Sequence, residues 1–397
     1  MAGSFLIQTP EHENGSDGQR NYTTDADLAN QAATLIEFVT WPDMERYQVV
    51  GLMSGTSLDG LDIALCEFIR TGEKWEYAIK HAVTEPYPEV WAERLRTFHR
   101  LSVEDLIRYH VEYGSFLGTA VRRFLESRNL QADFISSHGH TVFHQPQNGF
   151  TFQTGDGAAL SVASGLPVVF DFRTSDVARG GQGAPLVPVG DRLLFGDHAY
   201  CLNLGGIANI SFEQQGSRIA FDVCPCNLLL NRIAQSTGAP YDADGKLSAQ
   251  GKVDSRLLAQ LEAAGYYAIS GPRSLGREDV ERDFLSLLSE SISAADQART
   301  VVEHIALRIA GAVGKHGHSA AASVLVTGGG AWNRTLIERI SQTADVRVVV
   351  PDKALVDFKE ALVFAFLGLL RWRAEVNVFS SVTGAPADHC AGSIVLP

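Results

Sequence analysis

The chain has 397 residues with a formal net charge of −13, 45% hydrophobic and 20% charged. That length suits two domains of roughly 100–200 residues each. The acidic balance argues against a nucleic-acid surface or an anionic membrane as partner, since both call for a basic face. The five cysteines, at 66, 201, 224, 226 and 390, are odd in number and scattered. They imply no disulfide framework, and a reducing cytoplasm is expected. The first residues lack a basic start and a sustained apolar core, so no secretory signal is read. No window approaches the ~20 apolar residues of a membrane span.

Residues 1–46 are polar and read as an extension, with a loop at Glu11–Gly18 and a short helix within Ala26–Phe38. From Tyr47 the pattern tightens. Val49 and Val50 lead into Gly51-Leu52-Met53-Ser54-Gly55-Thr56-Ser57-Leu58-Asp59-Gly60, and Leu61–Cys66 follows, rich in strand formers. This is strand, tight glycine and hydroxyl turn, strand. Such a turn leaves N–H and hydroxyl donors free for an anion, and Asp59 beside them suits a Mg²⁺ between carboxylate and phosphate. Asp62 is a second acid there, or an ordinary strand-edge residue.

Apolar residues recur at helical spacing from Pro88 to Leu130, predicting two helices, the second starting at Ser102 with Glu104 and Asp105. Ala132–Ser136 reads as a buried strand ending in His138-Gly139-His140-Thr141. Leu166–Phe170 reads as another, ending in Asp171-Phe172-Arg173, with the loop Gly180–Pro185 after it. Tyr200–Phe212 repeats strand, Gly205-Gly206 turn, strand, and a third strand ends at Phe221-Asp222. A long helical region is expected from about Glu281 to Lys315. Ser323–Thr327 is a buried strand entering Gly328-Gly329-Gly330-Ala331-Trp332-Asn333 and a helix. Each half thus opens with a strand–glycine turn–strand unit, which predicts two similar α/β domains, 47–195 (with part of the C-terminal tail) and 196–397, around a ligand cleft.

No Walker A or dinucleotide fingerprint is present. Three glycine turns entered from strands point instead to phosphates gripped by paired hairpins. His138, His140 and His144 form H-x-H-x₃-H, spacing that suits Zn²⁺ or three separate structural roles. Cys224-Pro225-Cys226 is a metal pair or two buried thiols. Asp222 ends a strand as either a base or a helix cap. Asp171 and Arg173 are either an internal pair or a fork for an anion.

These strings, with Ser137–Thr141, Gly181–Pro188, Leu202–Gly206, Thr327–Asn333 and Ser381–Ala385, resemble the anhydro-N-acetylmuramic acid kinase family of the sugar kinase/Hsp70/actin superfamily, from about residue 48 onward. The resemblance implies two actin/hexokinase-like (ribonuclease H-like) domains. It implies an enzyme that uses ATP, Mg²⁺ and water to convert 1,6-anhydro-N-acetylmuramic acid into N-acetylmuramic acid 6-phosphate and ADP, in recycling of cell-wall sugars. It places the base at Asp222, and ATP at Ser54, Gly55, Thr56, Ser57, Leu58, Asp59, Gly60, Asp62, Gly205, Gly206, Gly328, Gly329, Gly330 and Asn333. Metal falls to Asp59 and the amino sugar to Thr141, Asp171, Arg173 and Glu360, the last otherwise a surface helix residue. A cytoplasmic homodimer is implied. The sequence departs from the family where Cys224 and Cys226 replace glycines, Leu275 a threonine, and His140 the usual glutamine. The changes at Cys224, Cys226 and Leu275 motivate a kinase for a related sugar as an alternative. A nucleotide-dependent binding module and a His-metal hydrolase are readings from other classes.

Overall fold

The computed structural model describes residues 44–55, 58, 60–269, 273–314 and 322–397. The extension's loop and helix, and the positions of Thr56, Ser57 and Asp59, lie outside the described residues. Twelve strands build two sheets: β1 Met44–Ser54, β2 Leu61–Thr71, β3 Lys74–Glu85, β4 Phe134–Gln145, β5 Phe150–Thr154, β6 Val168–Phe170, β7 Tyr200–Leu204, β8 Ile207–Gln214, β9 Ser217–Pro225, β10 Ser323–Thr327, β11 Arg347–Val349 and β12 Ser393–Val395.

The sheets share one plan. In the first, β1, β2 and β3 form an antiparallel meander, with β4 and β6 added parallel on the other side of β1. In the second, β7, β8 and β9 form the meander, with β10 and β11 added parallel beside β7. This repeated order is the ribonuclease H-like arrangement of actin/hexokinase-like domains. The first sheet also gains β5 against β4 and the C-terminal β12 against β6.

Alternation along the central strands divides the core. Val49 faces one cluster and Val50 another. Tyr200 and Leu202 face the second lobe's interior, whereas Cys201 faces the layer shared by both sheets. The helix Lys353–Trp372 fills that shared layer. It approaches β1 and β4 closely because two glycines allow it: a Cβ on Gly51 would lie 2.0 Å from the Ala361 carbonyl oxygen, and one on Gly368 would lie 2.4 Å from Ser136 Oγ. Gly51 is therefore a packing residue.

The two helices expected before Leu130 are Glu89–Thr97 and Val103–Glu126, the second capped by Ser102, which accepts from Asp105 N–H. The long helix expected from Glu281 is shorter at its start: it runs Ala294–Gly314, after a helix at Arg277–Asp283 and a 3₁₀ turn. Acid and serine residues at 289–296 break the apolar period and form caps, with Ser293 Oγ accepting from Asp296 N–H. The strand expected to stop at Ser136 runs on through the histidines to Gln145, because β5 pairs with its far end. No helix among the described residues is long and apolar enough to cross a membrane.

Candidate active site

The first glycine hairpin joins β1 to β2, with Ser54 paired to Leu61. Leu58 takes a left-handed φ of 60°, a conformation that costs a chiral residue roughly 1–2 kcal/mol and collects at functional turns. Gly60 packs on β3, where a Cβ would lie 2.7 Å from the Glu85 carbonyl oxygen. Asp62 is half-buried just beyond the turn, and its Oδ1 accepts from Thr84 Oγ1 at 2.5 Å. The Ser54 hydroxyl is engaged within the protein, accepting from Tyr87 Oη at 2.7 Å and bonding His140 Nδ1 at 2.9 Å.

The second and third glycine turns meet. Gly205 and Gly206 join β7 to β8, and their carbonyls accept N–H bonds from Cys226, Asn227 and Leu228 at the start of the helix Asn227–Gln235. The Gly328–Gly330 turn packs on this hairpin. A Cβ on Gly330 would lie 2.7 Å from Leu204 Cβ, and Gly328, at φ 81°, has no room for one beside Asn203 and Leu204. Asn227 Nδ2 completes the junction by donating to the Leu204 carbonyl at 2.8 Å. Asn333 Oδ1 caps the following helix by accepting from Leu336 N–H. Beside this junction opens a groove of about 490 Å³, lined by Asn227, Leu228, Asn231, Arg232, Arg277 and Leu285 among others. Sequence reasoning made neither Arg232 nor Arg277 a site residue, although Arg277 lies in the Gly271–Glu278 string that carries Leu275.

On the first sheet, Arg173 donates Nε and Nη2 to His138 Nε2 at 3.1 and 2.9 Å, and Nη1 to the Gly183 carbonyl at 2.6 Å. Of the two readings of Asp171 and Arg173, the internal pair does not form. Asp171, at φ 57°, accepts from Thr174 Oγ1 instead. The acid nearest in effect to Arg173 is Glu360: burial pulls the guanidinium down to about 10, with Glu360 and Asp176 opposing. Glu360 itself is exposed. Desolvation by the protein around it pushes its carboxyl up, against the pull of Lys359 and Arg173. Thr141 lies on β4 and receives Gln153 Nε2 at 3.4 Å. A cavity of about 140 Å³ joins His138, Gly139, Gln153, Asp171 and Thr174. The three imidazoles of the H-x-H-x₃-H run serve three different partners, Arg173, Ser54 and Thr151.

Asp222 sits on the second sheet at a bulge. Cys224 is opposite Ala208 and Asp222 opposite Asn209, so Val223 is the extra residue, a device that re-aims side chains next to sites. Asp222 does not cap the next helix. Its Oδ2 accepts from Leu275 N–H at 2.8 Å and Ser274 Oγ at 3.3 Å. Oδ1 has no partner among the described residues. Its backbone is clamped too: N–H to the Arg273 carbonyl, and the Asp222 carbonyl accepting from Tyr266 Oη at 2.6 Å. Burial raises its carboxyl pKa, partly offset by the Leu275 and Ser274 donors. Cys224, Cys226 and Leu275 all turn into the second lobe's core.

Two lobes of one strand order, each presenting a glycine hairpin, with a glycine turn and groove on the second and carboxylates raised by burial, define a sugar kinase of the actin/hexokinase type. The family profile described as anhydro-N-acetylmuramic acid kinase matches residues 47–397. The anhydro-N-acetylmuramic acid kinase of Rhizorhabdus wittichii is 37% identical over 371 residues, 88% of this chain and 99% of its own length. That of Pseudomonas putida is 37% identical over 362 residues, 87% of this chain and 98% of its own. The chain belongs to the anhydro-N-acetylmuramic acid kinase family. Among solved structures, the activator of 2-hydroxyisocaproyl-CoA dehydratase from Clostridium difficile with bound ADPNP aligns over 83% of this chain and 99% of its own, at 14% identity and a TM-score of 0.38, a likeness too distant to carry an argument.

Proposed function

We propose that this chain uses ATP to open the 1,6-anhydro bond of 1,6-anhydro-N-acetylmuramic acid and phosphorylate O6. The observation that carries the reading is Asp222: a carboxylate with one oxygen held by two donors, the other unengaged, and a pKa raised by burial. Such a group suits a general base, worth about 10²–10⁴-fold. Oδ1 takes a proton from water. The water oxygen bonds to C1 as the C1–O6 bond breaks. O6 keeps that bonding pair and attacks the γ-phosphorus, ADP departs, and the proton on Asp222 is released to solvent. Positioning and electrostatics carry the transfer.

The remaining roles follow from placement. The Gly55–Gly60 and Gly205-Gly206 hairpins hold phosphates, and the groove beside Gly328–Gly330 holds the nucleoside, with Arg277 at its wall. Arg173, anchored by His138, suits the lactyl carboxylate. The cavity of about 140 Å³ is smaller than the ~300–1,000 Å³ of whole-ligand pockets, so it suits a ring substituent. Asp62 offers a partly exposed carboxylate beside the hairpin, donor chemistry that fits Mg²⁺. Asp59 and Asp62 would hold that ion, which would supply charge neutralisation at the phosphates. Cytoplasmic residence and a homodimer belong to this reading on family membership alone; light scattering tests the dimer.

The test is phosphorylation of the anhydro sugar by ATP, followed in wild type and Asp222→Asn. Turnover should vanish in the variant while ATP still binds. A wild-type-like kcat would remove Asp222 from the role of base, and phosphate transfer only to another sugar would remove the proposed substrate. The related-sugar alternative loses its motive in the structure, since the three departing side chains that prompted it face the core.

A further inference from the structure

Of the His138-Gly139-His140 run, His140 has no part in the reaction as drawn. It lies where β1 and β4 run parallel, and the register between them slips. Leu52 is opposite Ser137, whereas Ser54 is opposite His140. Two residues of β1 therefore span three of β4, a bulge. Gly139 permits it, with φ 71° and no room for a Cβ, which would lie 2.7 Å from the Thr154 carbonyl oxygen.

The bulge gives the two imidazoles separate partners, and the protons can be assigned around each. His138 Nδ1 donates to the Gly139 carbonyl at 2.9 Å, leaving the Nε2 lone pair for Arg173. Tyr87 Oη donates to Ser54 Oγ, so the single Ser54 proton goes to His140 Nδ1, and Tyr87 in turn accepts from Tyr113 Oη at 2.8 Å. The chain Tyr113, Tyr87, Ser54, His140 thus ends on an imidazole lone pair, which only the neutral ring with its proton on Nε2 supplies. Burial favours that form, holding His140 down to about 4. Tyr113 is fully buried, and His140 and Ser54 nearly so. In such a setting every bond of a satisfied network rigidifies the rest.

We propose that His140 is a positioning residue for phosphoryl transfer: by accepting the Ser54 hydroxyl it fixes the end of β1 from which the phosphate hairpin springs, in register with the Arg173 that the same bulge anchors through His138. The proposal rests on the reading of Gly55–Gly60 as a phosphate hairpin.

Wild-type phosphorylation of the anhydro sugar by ATP establishes that reading separately, and the variants are scored against it. His140→Leu deletes the acceptor. It should lower kcat/KM for ATP about tenfold, the scale of one buried hydrogen bond, with KM for the sugar little changed. His140→Gln keeps one acceptor and one donor, and should stay within about threefold of wild type. Ser54→Ala removes the hydroxyl without adding bulk and guards against a misfolded His140 variant. It should match His140→Leu, and the double variant should be no worse than either single change. Equal losses in His140→Gln and His140→Leu, equal changes in KM for both substrates, or additive single changes would each overturn the proposal.

Discussion

At Asp222, activity and stability pull in opposite directions. Its folded pKa lies above the ordinary 3.8 because burial disfavours the charge. Below that window the carboxyl is protonated in folded and unfolded chains alike. As pH rises through it, the unfolded chain releases its proton first, so the folded state binds more protons and stability falls. Over the same window the proposed base ionises and activity should rise. The acid limb of kcat/KM should therefore sit above the range of an ordinary aspartate, and Asp222→Asn should melt at an equal or higher temperature than wild type at pH 7 while being inactive. A clear loss of melting temperature would show instead that the charge is well solvated by its donors. Cys224 and Cys226 make the complementary case. Both thiols are buried and pushed up, Cys226 to about 12. A thiol reagent should leave them unlabelled in the native protein and modify them in denaturant; rapid native labelling of either would contradict their place in the core.

The helix Lys353–Trp372 shows what an element adds. Its backbone departs from helical geometry at Phe358, φ −117° and ψ 17°. Two neighbours follow the kink: Lys359 is buried against Asp191, Nζ to Oδ1 at 2.7 Å, while Glu360 is exposed. Asp191 Oδ2 also receives Ser211 Oγ at 2.5 Å, and Ser211 accepts from the buried Arg218. Removing one member of a buried pair strands the other, so Lys359→Met should cost about 3–5 kcal/mol in urea unfolding; a loss below about 1 kcal/mol would place the pair among the weak, solvent-screened kind. Local pattern carried much of this fold into the sequence. The strands entering the three glycine turns and the Ser102 cap are short-range features, whereas the strand expected to end at Asp222 runs on to Pro225 across the Val223 bulge. What stayed hidden is long-range or out of period. The kink breaks the 3.6-residue repeat that would have placed Lys359 inside. β3 is largely exposed or half-buried and shows no apolar run. Tyr87 reaches Ser54 across 33 positions and Arg173 reaches His138 across 35, with no motif joining them.

For the whole molecule, the two sheets share one helix, and we propose that they close on each other about the Lys359–Asp191–Arg218 cluster. Adding a non-hydrolysable ATP analogue together with the anhydro sugar should shrink the radius of gyration measured by X-ray scattering. Superimposable profiles with and without both ligands would speak for a rigid cleft. One further feature constrains how this chain can change over generations. The carbonyls of Gly205 and Gly206 hold the N–H groups of residues 226–228 at the start of the following helix, and Asp222 stands a few residues earlier, on the strand before it. The groups proposed for water activation and phosphate holding are thus spaced by a fixed length of backbone. Side chains can differ there without changing that spacing, while an insertion or deletion between Asp222 and Asn227 would put the two proposed chemistries out of step.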